Sequence, residues 1–174
     1  MIVAVNDMSA AKEITPAFLE TKKEIIESAP FLVLDANLDE ESIQYASRTA
    51  KGIVVCDAVS TLKAGRLFSS FPYINILKPN LMELEYLSGV KTTGEKSIKD
   101  AGFALIEKGV GTVVATAGEN GAYYITPNSF IHAYGDKLDV KNTNGAGDSF
   151  LSGFVFALSE GLDEKDSLKM ALSA

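Results

Sequence analysis

The sequence has few residues of several kinds, and each shortage excludes a class of protein. Its 174 residues include one cysteine, Cys56, which lies in an apolar run at 53–56. That setting predicts a small buried side chain rather than a nucleophile or a metal ligand. Acidic residues outnumber basic ones, and the net charge is −7. General nucleic-acid binding is therefore not expected, because neutralising phosphates requires a basic patch. No leader and no bilayer-length apolar run is found, so we expect a cytoplasmic protein with no membrane partner.

The composition that remains is typical of a folded domain. Hydrophobic residues make up 47% of the chain, which is too high a share for a disordered protein. A domain of this length buries roughly 70% of the surface of its unfolded chain, so it needs neither a disulfide nor a metal ion to fold. The acidic residues are spread along predicted helix faces, which indicates solvated surface.

Short apolar runs alternate with amphipathic stretches along most of the chain. The runs predict buried parallel strands at residues 2–5, 31–34, 53–56, 74–77 and 112–116. Helices are predicted between them, near residues 16–26, 39–52, 60–68, 81–87 and 97–108. A hairpin at 122–125 and 130–134, a short strand at 138–141 and a helix at 148–160 follow. This order predicts a doubly wound, mainly parallel α/β sheet flanked by helices.

The strongest functional signal is Asn-Thr-Asn-Gly-Ala-Gly-Asp at residues 142–148, between a predicted strand and a predicted helix. Gly145, Ala146 and Gly147 are small enough for the backbone to approach a ligand, and a helix N-terminus attracts anions. Such a turn suits the charge that develops on a transferring phosphoryl group. Asp148 could accept the proton of an attacking hydroxyl. Taken alone, the pattern fits equally a glycine-rich turn whose aspartate complements the helix dipole.

Two other segments carry candidate site residues. Asn80 and Glu83 have the spacing of a capping box at a predicted helix start, and a carboxylate there could also hold magnesium through water. Gly118 and Gly121 have the spacing of turn glycines. Lys78 either contacts a phosphate or is solvated. The single histidine, at position 132 in the predicted hairpin, is expected to be structural or exposed.

These three segments together resemble the motifs of one enzyme family. Residues 142–148 resemble the Asp-Thr-x-Gly-Ala-Gly-Asp signature of the ribokinase-like PfkB carbohydrate kinases. Lys-Pro-Asn-Leu-Met-Glu at 78–83 resembles the Pro-Asn-x-x-Glu motif of that family, and Thr-Ala-Gly-Glu-Asn-Gly at 116–121 resembles its Thr-x-Gly-x-x-Gly turn. Because the three occur in family order and the resemblance covers the whole chain, the sequence is identified as a member of this family.

The resemblance implies a phosphotransferase that uses ATP and Mg²⁺ and a sugar or nucleoside as its small-molecule partners. It implies that Asp148 is the general base and that the turn at 145–147 is the anion hole. Asn80 and Glu83 would organise magnesium, and the nucleotide turn would consist of Thr116, Gly118 and Gly121.

Departures from the family pattern bear on the substrate. The first aspartate of the signature is Asn142 here, which leaves dependence on a monovalent cation open. This form resembles the pseudouridine-kinase branch, as do Asp-Ala-Asn-Leu at 35–38 and the Asp-x-Val-Ser-x-x-Lys pattern at 57–63, where Ala58 departs from that branch. A nucleoside or ribose-like acceptor is therefore favoured, with a ribokinase- or fructokinase-like acceptor as the alternative.

Family members also carry an N-terminal sugar-binding segment and a β lid that the 174 residues lack. We therefore expect residues 1–174 to form a single partial ribokinase-like domain, truncated at both ends and inactive by itself. The alternative from another class is a non-catalytic remnant or binding module. A module of that kind would be stable as a homo-oligomer, because its sheet edge would otherwise be bare.

Overall fold

A computed structural model describes residues 9–135 and 144–174. Six strands are present there: β1 (Phe31–Asp35), β2 (Ile53–Asp57), β3 (Ile76–Lys78), β4 (Thr112–Thr116), β5 (Ala122–Ile125) and β6 (Phe130–Ala133). The helices are α1 (Ser9–Lys12), α2 (Pro16–Glu20), α3 (Lys23–Ser28), α4 (Glu40–Thr49), α5 (Thr61–Ala64), α6 (Leu81–Ser88), α7 (Glu95–Glu107), α8 (Ala146–Ser159) and α9 (Glu164–Ser173). The strands predicted at 2–5 and 138–141 lie outside the described residues.

The six strands form one mixed sheet in the order β1-β2-β3-β4-β5-β6. Strands β1 to β4 are parallel, and β5 and β6 add an antiparallel hairpin to the β4 edge. Helical segments connect the parallel strands, and helices cover both faces of the sheet. The predicted mainly parallel α/β architecture is therefore confirmed.

The sheet separates two hydrophobic clusters. On one side, which we call the crossover face, Val54, Cys56 and Val113 pack against α4, α6, α7 and a 3₁₀ helix at Gly65–Tyr73. On the other side, the terminal-helix face, Val55 and Val114 pack against α8 and α9. Neighbouring residues of one strand enter different clusters because successive side chains of a strand point to opposite faces.

Local signals placed most helix ends correctly. The Thr15 hydroxyl accepts a hydrogen bond from the Phe18 N–H at 3.2 Å, and Pro16 occupies the first turn of α2, as predicted. The stretch predicted as one helix near 16–26 is two helices, because the chain leaves helical geometry around Thr21 and Lys22.

The helix predicted at 60–68 was only partly right. It is α-helical for one turn and then continues as the 3₁₀ helix that starts at Gly65. Glycine and serine are weak α-helix formers, and Pro72 has no N–H for the helix ladder. The tighter 3₁₀ geometry therefore replaces the α-helix over this segment.

Candidate active site at the carboxyl edge of the sheet

Charged and polar residues end three neighbouring parallel strands. Asp35 of β1 pairs in register with Asp57 of β2, which pairs with Lys78 of β3. All three belong to the terminal-helix face, because each lies an even number of residues along its strand from a residue that packs on that face. Lys78 and Asp57 are both 6% exposed, and Nζ lies 2.6 Å from Oδ2. Lys78 is therefore not solvated. It forms a buried ion pair with Asp57 at the carboxyl ends of β2 and β3.

The next segment forms the predicted capping box. Asn80 Oδ1 accepts from the Glu83 N–H at 2.9 Å, while the Glu83 carboxylate accepts from the Asn80 backbone N–H at 2.9 Å and from Nδ2 at 2.7 Å. Glu83 is buried, and this desolvation raises the pKa of its carboxyl, with the charge of Asp57 acting in the same direction. Both carboxylate oxygens thus already accept hydrogen bonds from the helix start.

The described ranges hold no group of three or more His, Cys, Asp or Glu side chains that could bind a metal ion. A single buried carboxylate such as Glu83 fits Mg²⁺ held mainly by phosphate oxygens and water, which is the usual arrangement in phosphotransferases. The side-chain oxygens of Asn80 and Glu83 could each also accept a hydrogen bond from a water molecule bound to Mg²⁺. Their assignment to magnesium stays a prediction.

The turn at 116–121 lies directly beside the capping box. The Thr116 N–H donates to the Pro79 carbonyl at 3.0 Å, and a bridge pairs Thr116 with Asn80. Gly118 has a φ of +59°, which disfavours other residues. At Gly121 a Cβ would lie 2.0 Å from the Ala133 carbonyl oxygen, so only glycine fits against β6. Two of the three predicted motifs are thereby in contact.

His132 supports that turn from the hairpin. Its ring stacks on Tyr123 with centroids 4.0 Å apart, and Nε2 lies 2.8 Å from the Asn120 carbonyl oxygen. The ring and its hydrogen bond hold the turn against β5 and β6. Of the two alternatives expected for this histidine, structural or exposed, these contacts favour the structural one.

The described part of the third motif begins at Asn144. Gly145 has a φ of +79° and precedes α8, whose first turn contains Ala146, Gly147 and Asp148. Asp148 is exposed, and its backbone carbonyl accepts from Ser152 Oγ. Lys78 Nζ lies 3.4 Å from the Gly147 carbonyl oxygen, which joins this turn to the carboxyl edge. Asn142 lies outside the described residues.

The motifs therefore meet at one edge, although not every predicted residue touches another. Gly147 meets the 78–83 segment, and that segment meets Thr116. Among the described contacts, none joins the Asp148 carboxylate to Asn80 or Glu83. Asp148 is exposed in the first turn of α8, and its role stays a prediction.

Sequence reasoning did not identify Asp57 as a partner of Lys78. Each residue ends a buried apolar run, a signal that could have placed both at the carboxyl edge. Asp57 also shapes the next turn, since Oδ1 accepts from the Val59 N–H at 3.0 Å. Val59 has a φ of +63°, an unusual conformation for a β-branched residue and the sole non-glycine case within the described ranges. Strain of this kind is concentrated at functional sites.

The two segments that resemble the pseudouridine-kinase branch also meet. Asp35 accepts from the backbone and side-chain N–H groups of Asn37, and the side-chain oxygen Oδ1 of Asn37 accepts from Lys63 Nζ at 2.5 Å. A cleft of about 350 Å³ opens beside this loop, lined in part by Val33, Asp35 and Asn37. The polar groups at the carboxyl edge of the sheet therefore extend as far as β1, where the cleft lies beside them.

Comparison with known proteins supports the same family. The profile of the pfkB family carbohydrate kinases matches residues 2–174. The chain is 31% identical over 174 residues to pseudouridine kinase from Escherichia coli (strain K12), covering 98% of this chain and 55% of that protein. It is 33% identical over 150 residues to ribokinase from Staphylococcus aureus (strain COL), covering 86% and 49%.

Solved structures agree. A ribokinase from Thermotoga maritima superposes with a TM-score of 0.86 at 24% identity, covering 97% of this chain and 55% of that one. A putative sugar kinase from Clostridium perfringens has a TM-score of 0.86 at 27% identity, covering 99% and 55%. The chain belongs to the pfkB family of carbohydrate kinases and has the ribokinase-like fold. It spans about half the length of the curated relatives it matches.

No helix within residues 9–135 and 144–174 is both long enough and apolar enough to cross a membrane.

Proposed function

We propose that the protein containing this chain transfers the γ-phosphoryl group of ATP to a hydroxyl of a sugar or nucleoside. The observation that carries the proposal is the meeting of the α8 start, the 78–83 segment and the 116–121 turn at one edge of the sheet. Ligands of open α/β sheets bind outside the carboxyl ends of the strands. Family membership and the kinase relatives support the same reaction.

Asp148 is proposed as the general base. Its place in the first turn of α8 leaves the carboxylate exposed beside a helix N-terminus, where it could accept the proton of the attacking hydroxyl. The N–H groups of the turn at 145–147 point out of the helix start and are suited to the oxygens of the transferred group. In this mechanism the chain binds and orients, and Asp148 alone holds a proton.

The nucleotide and its magnesium are assigned to the neighbouring segments. Thr116, Gly118 and Gly121 form the turn along which the ATP phosphates would lie. Asn80 and Glu83 would organise Mg²⁺ through water, and that ion would neutralise charge on the phosphate oxygens. Dependence on a monovalent cation stays open.

Pseudouridine is the first acceptor that we propose. The 31% identity to a pseudouridine kinase supports it. So does the contact between Asn37 and Lys63, which joins the two branch-like segments beside the cleft at β1. The identity to a ribokinase keeps ribose as the second candidate.

The test is an acceptor screen of the full-length protein with ATP and Mg²⁺. Pseudouridine, ribose and fructose are the acceptors, and formation of phosphorylated product is measured. We expect the highest kcat/KM with pseudouridine. A higher value with ribose or fructose would overturn the acceptor assignment while leaving the reaction class intact. Absence of product with every acceptor, in a protein that is folded, would favour a non-catalytic binding module.

A further inference from the structure

A buried ion pair lies beneath the proposed anion-binding turn, and the proposed mechanism does not use it. Lys78 and Asp57 are each 6% exposed, and their charged atoms are 2.6 Å apart. Removing two charges from water is costly, and their mutual attraction often only offsets that cost. Net stability is therefore a weak reason for placing the pair here. A role in fixing geometry is a stronger one.

The ammonium group of Lys78 makes a second contact that is remote in sequence. Nζ lies 3.4 Å from the carbonyl oxygen of Gly147, which is 69 residues away and in the first turn of α8. The contact is long for a hydrogen bond, but the positive charge of the donor strengthens it. Lys78 thus links the end of β2, through Asp57, to the start of α8.

The close fit at Gly147 supports a specific contact. A Cβ at this position would lie 2.9 Å from Lys78 Nζ, so the end of the lysine side chain would have to shift slightly for a larger residue. Gly147 thus lies directly against the ammonium group, whereas at Gly145 the φ of +79° favours glycine and no described atom lies within 4 Å of a Cβ.

Within the described residues, the N-cap residue of α8 makes no side-chain hydrogen bond to the first turn. Gly145 occupies the N-cap position, and no side chain there accepts a hydrogen bond from the first turn. By contrast, α6 has a capping box from Asn80 and Glu83, and α9 is capped by Asp163. The contact of Lys78 with the Gly147 carbonyl is therefore a tertiary contact to a helix start whose N-cap residue has no side chain to offer.

We propose that the Asp57–Lys78 ion pair is a positioning device that holds the first turn of α8 against the carboxyl edge and so places Asp148 and the anion-binding turn. Asp57 fixes the ammonium group, which in turn fixes the Gly147 carbonyl. The pair contacts no substrate in this role. The inference deepens the proposed function and rests on it for its kinetic consequence only.

The experiment compares three variants of the full-length protein: Lys78→Met, Asp57→Asn and the double variant. Asparagine at 57 retains a side-chain oxygen for the Val59 N–H, so this substitution isolates the charge. Because each single variant leaves one buried charge without its partner, either could fail to fold. The double variant leaves no unpaired charge and covers that case.

The matched control is Lys108→Met. Lys108 is an exposed lysine whose ammonium group also donates to backbone carbonyls, those of Leu87 and Ser88 at the end of α6. The substitution Lys108→Met removes an ammonium group from the C-terminal end of α6, which the proposal does not involve. We measure kcat and KM for ATP, together with hydrogen exchange of the Ser149 amide, which donates to the Gly145 carbonyl oxygen across the first turn of α8.

We expect each folded variant of the pair to lower kcat by roughly 10²-fold, the penalty typical of misplaced reacting groups, with KM for ATP within about 3-fold. Exchange of the Ser149 amide should accelerate by about 10-fold or more, since local opening of the α8 start becomes easier. The double variant should lose no more kcat than the worse single variant, because both changes remove one device. Lys108→Met should leave kcat and α8 exchange unchanged.

Two results would overturn the proposal. In the first, Asp57→Asn is unaffected while Lys78→Met raises KM for ATP in proportion to its loss of kcat/KM, which would make Lys78 a phosphate ligand. In the second, the folded double variant keeps wild-type kcat and α8 exchange. If the unmodified protein transfers no phosphoryl group, the proposed function fails, while the exchange measurement still decides whether the pair anchors α8.

Discussion

The two faces of the sheet differ in how they are covered and in what they carry. On the crossover face, helical segments that connect consecutive strands bury Val54, Leu77 and Val113 almost completely. On the terminal-helix face, α8 and α9 cover the β3–β6 side, whereas Val33 of β1 is 50% exposed and Ile53 of β2 is 37% exposed. The well-covered face supplies most of the apolar burial, and the other face carries α8 with the proposed base Asp148.

The difference has a physical origin. Crossover helices are short-range neighbours of the strands they join, so they bury apolar residues on their own face. The terminal-helix face depends on segments far away in sequence, and its carboxyl edge carries the charged residues Asp35, Asp57 and Lys78. Loss of a group on the first face should reduce stability, and loss of one on the second should reduce activity.

The largest effect is expected from the 174 residues by themselves. We predict that this chain with ATP and Mg²⁺ forms no detectable phosphorylated pseudouridine, ribose or fructose, and hydrolyses ATP only slowly. It spans about half the length of its relatives, and transfer requires an acceptor held in line. Incubation of the purified chain with each acceptor checks this. Robust product would mean that the described edge alone positions the acceptor.

On the terminal-helix face, Asp148→Asn in the full-length protein should lower kcat by about 10²-fold or more, as loss of a general base does. Affinity for ATP and thermal stability should change little, because Asp148 is exposed and the amide keeps its size. Steady-state kinetics, ATP titration and thermal melting measure the three quantities. Near wild-type kcat would exclude Asp148 as the base.

A matched pair of valines tests the difference in coverage directly. Val54→Ala on the crossover face should lower the free energy of unfolding of the 174-residue chain by about 2 kcal/mol, because the substitution removes two buried methyl groups and leaves a cavity. Val33→Ala on the other face should cost well under half of that. Chemical denaturation gives both values. Equal costs would show that the two faces are equally well covered.

The smallest effect concerns Glu83. Glu83→Gln should raise the Mg²⁺ concentration needed for half-maximal rate in the full-length protein, because a neutral amide is a poorer partner for a hydrated dication. Gln can still complete the capping box, so stability should fall only slightly. A magnesium titration of the rate is the measurement. If that titration is unchanged while the melting temperature falls, Glu83 acts as a cap alone.

The same variant has a pH dependence of known sign. Burial raises the pKa of Glu83 above its ordinary value of 4.5, so the folded state binds its proton more tightly than the unfolded state does. The stability that this group contributes is fully present below 4.5 and is lost as pH rises through the raised pKa. Melting without magnesium should therefore show the wild type losing stability relative to Glu83→Gln as pH rises from about 4.5. If the wild type instead gains stability relative to Glu83→Gln over this pH range, the raised pKa of Glu83 is contradicted.

Features that depend on a few neighbouring residues could be predicted from the sequence. The Thr15 cap, the Asn80–Glu83 capping box and the hairpin that starts at β5 each involve partners close in the chain. The motifs at 78–83 and 116–121 were placed correctly at strand ends because each follows a clear apolar run. Their meeting at one edge follows from the shared direction of parallel strands, which the alternation of strands and helices already indicates.

The sequence by itself thus determined the α/β class, the family and the residues proposed to act on ATP. Only the tertiary structure decided which of them touch. Lys78 was expected either to contact phosphate or to be solvated, yet it pairs with Asp57, 21 residues away, and reaches Gly147, 69 residues away. Such contacts depend on strand register and on where α8 docks, and both are set by packing across the whole sheet rather than by any local pattern.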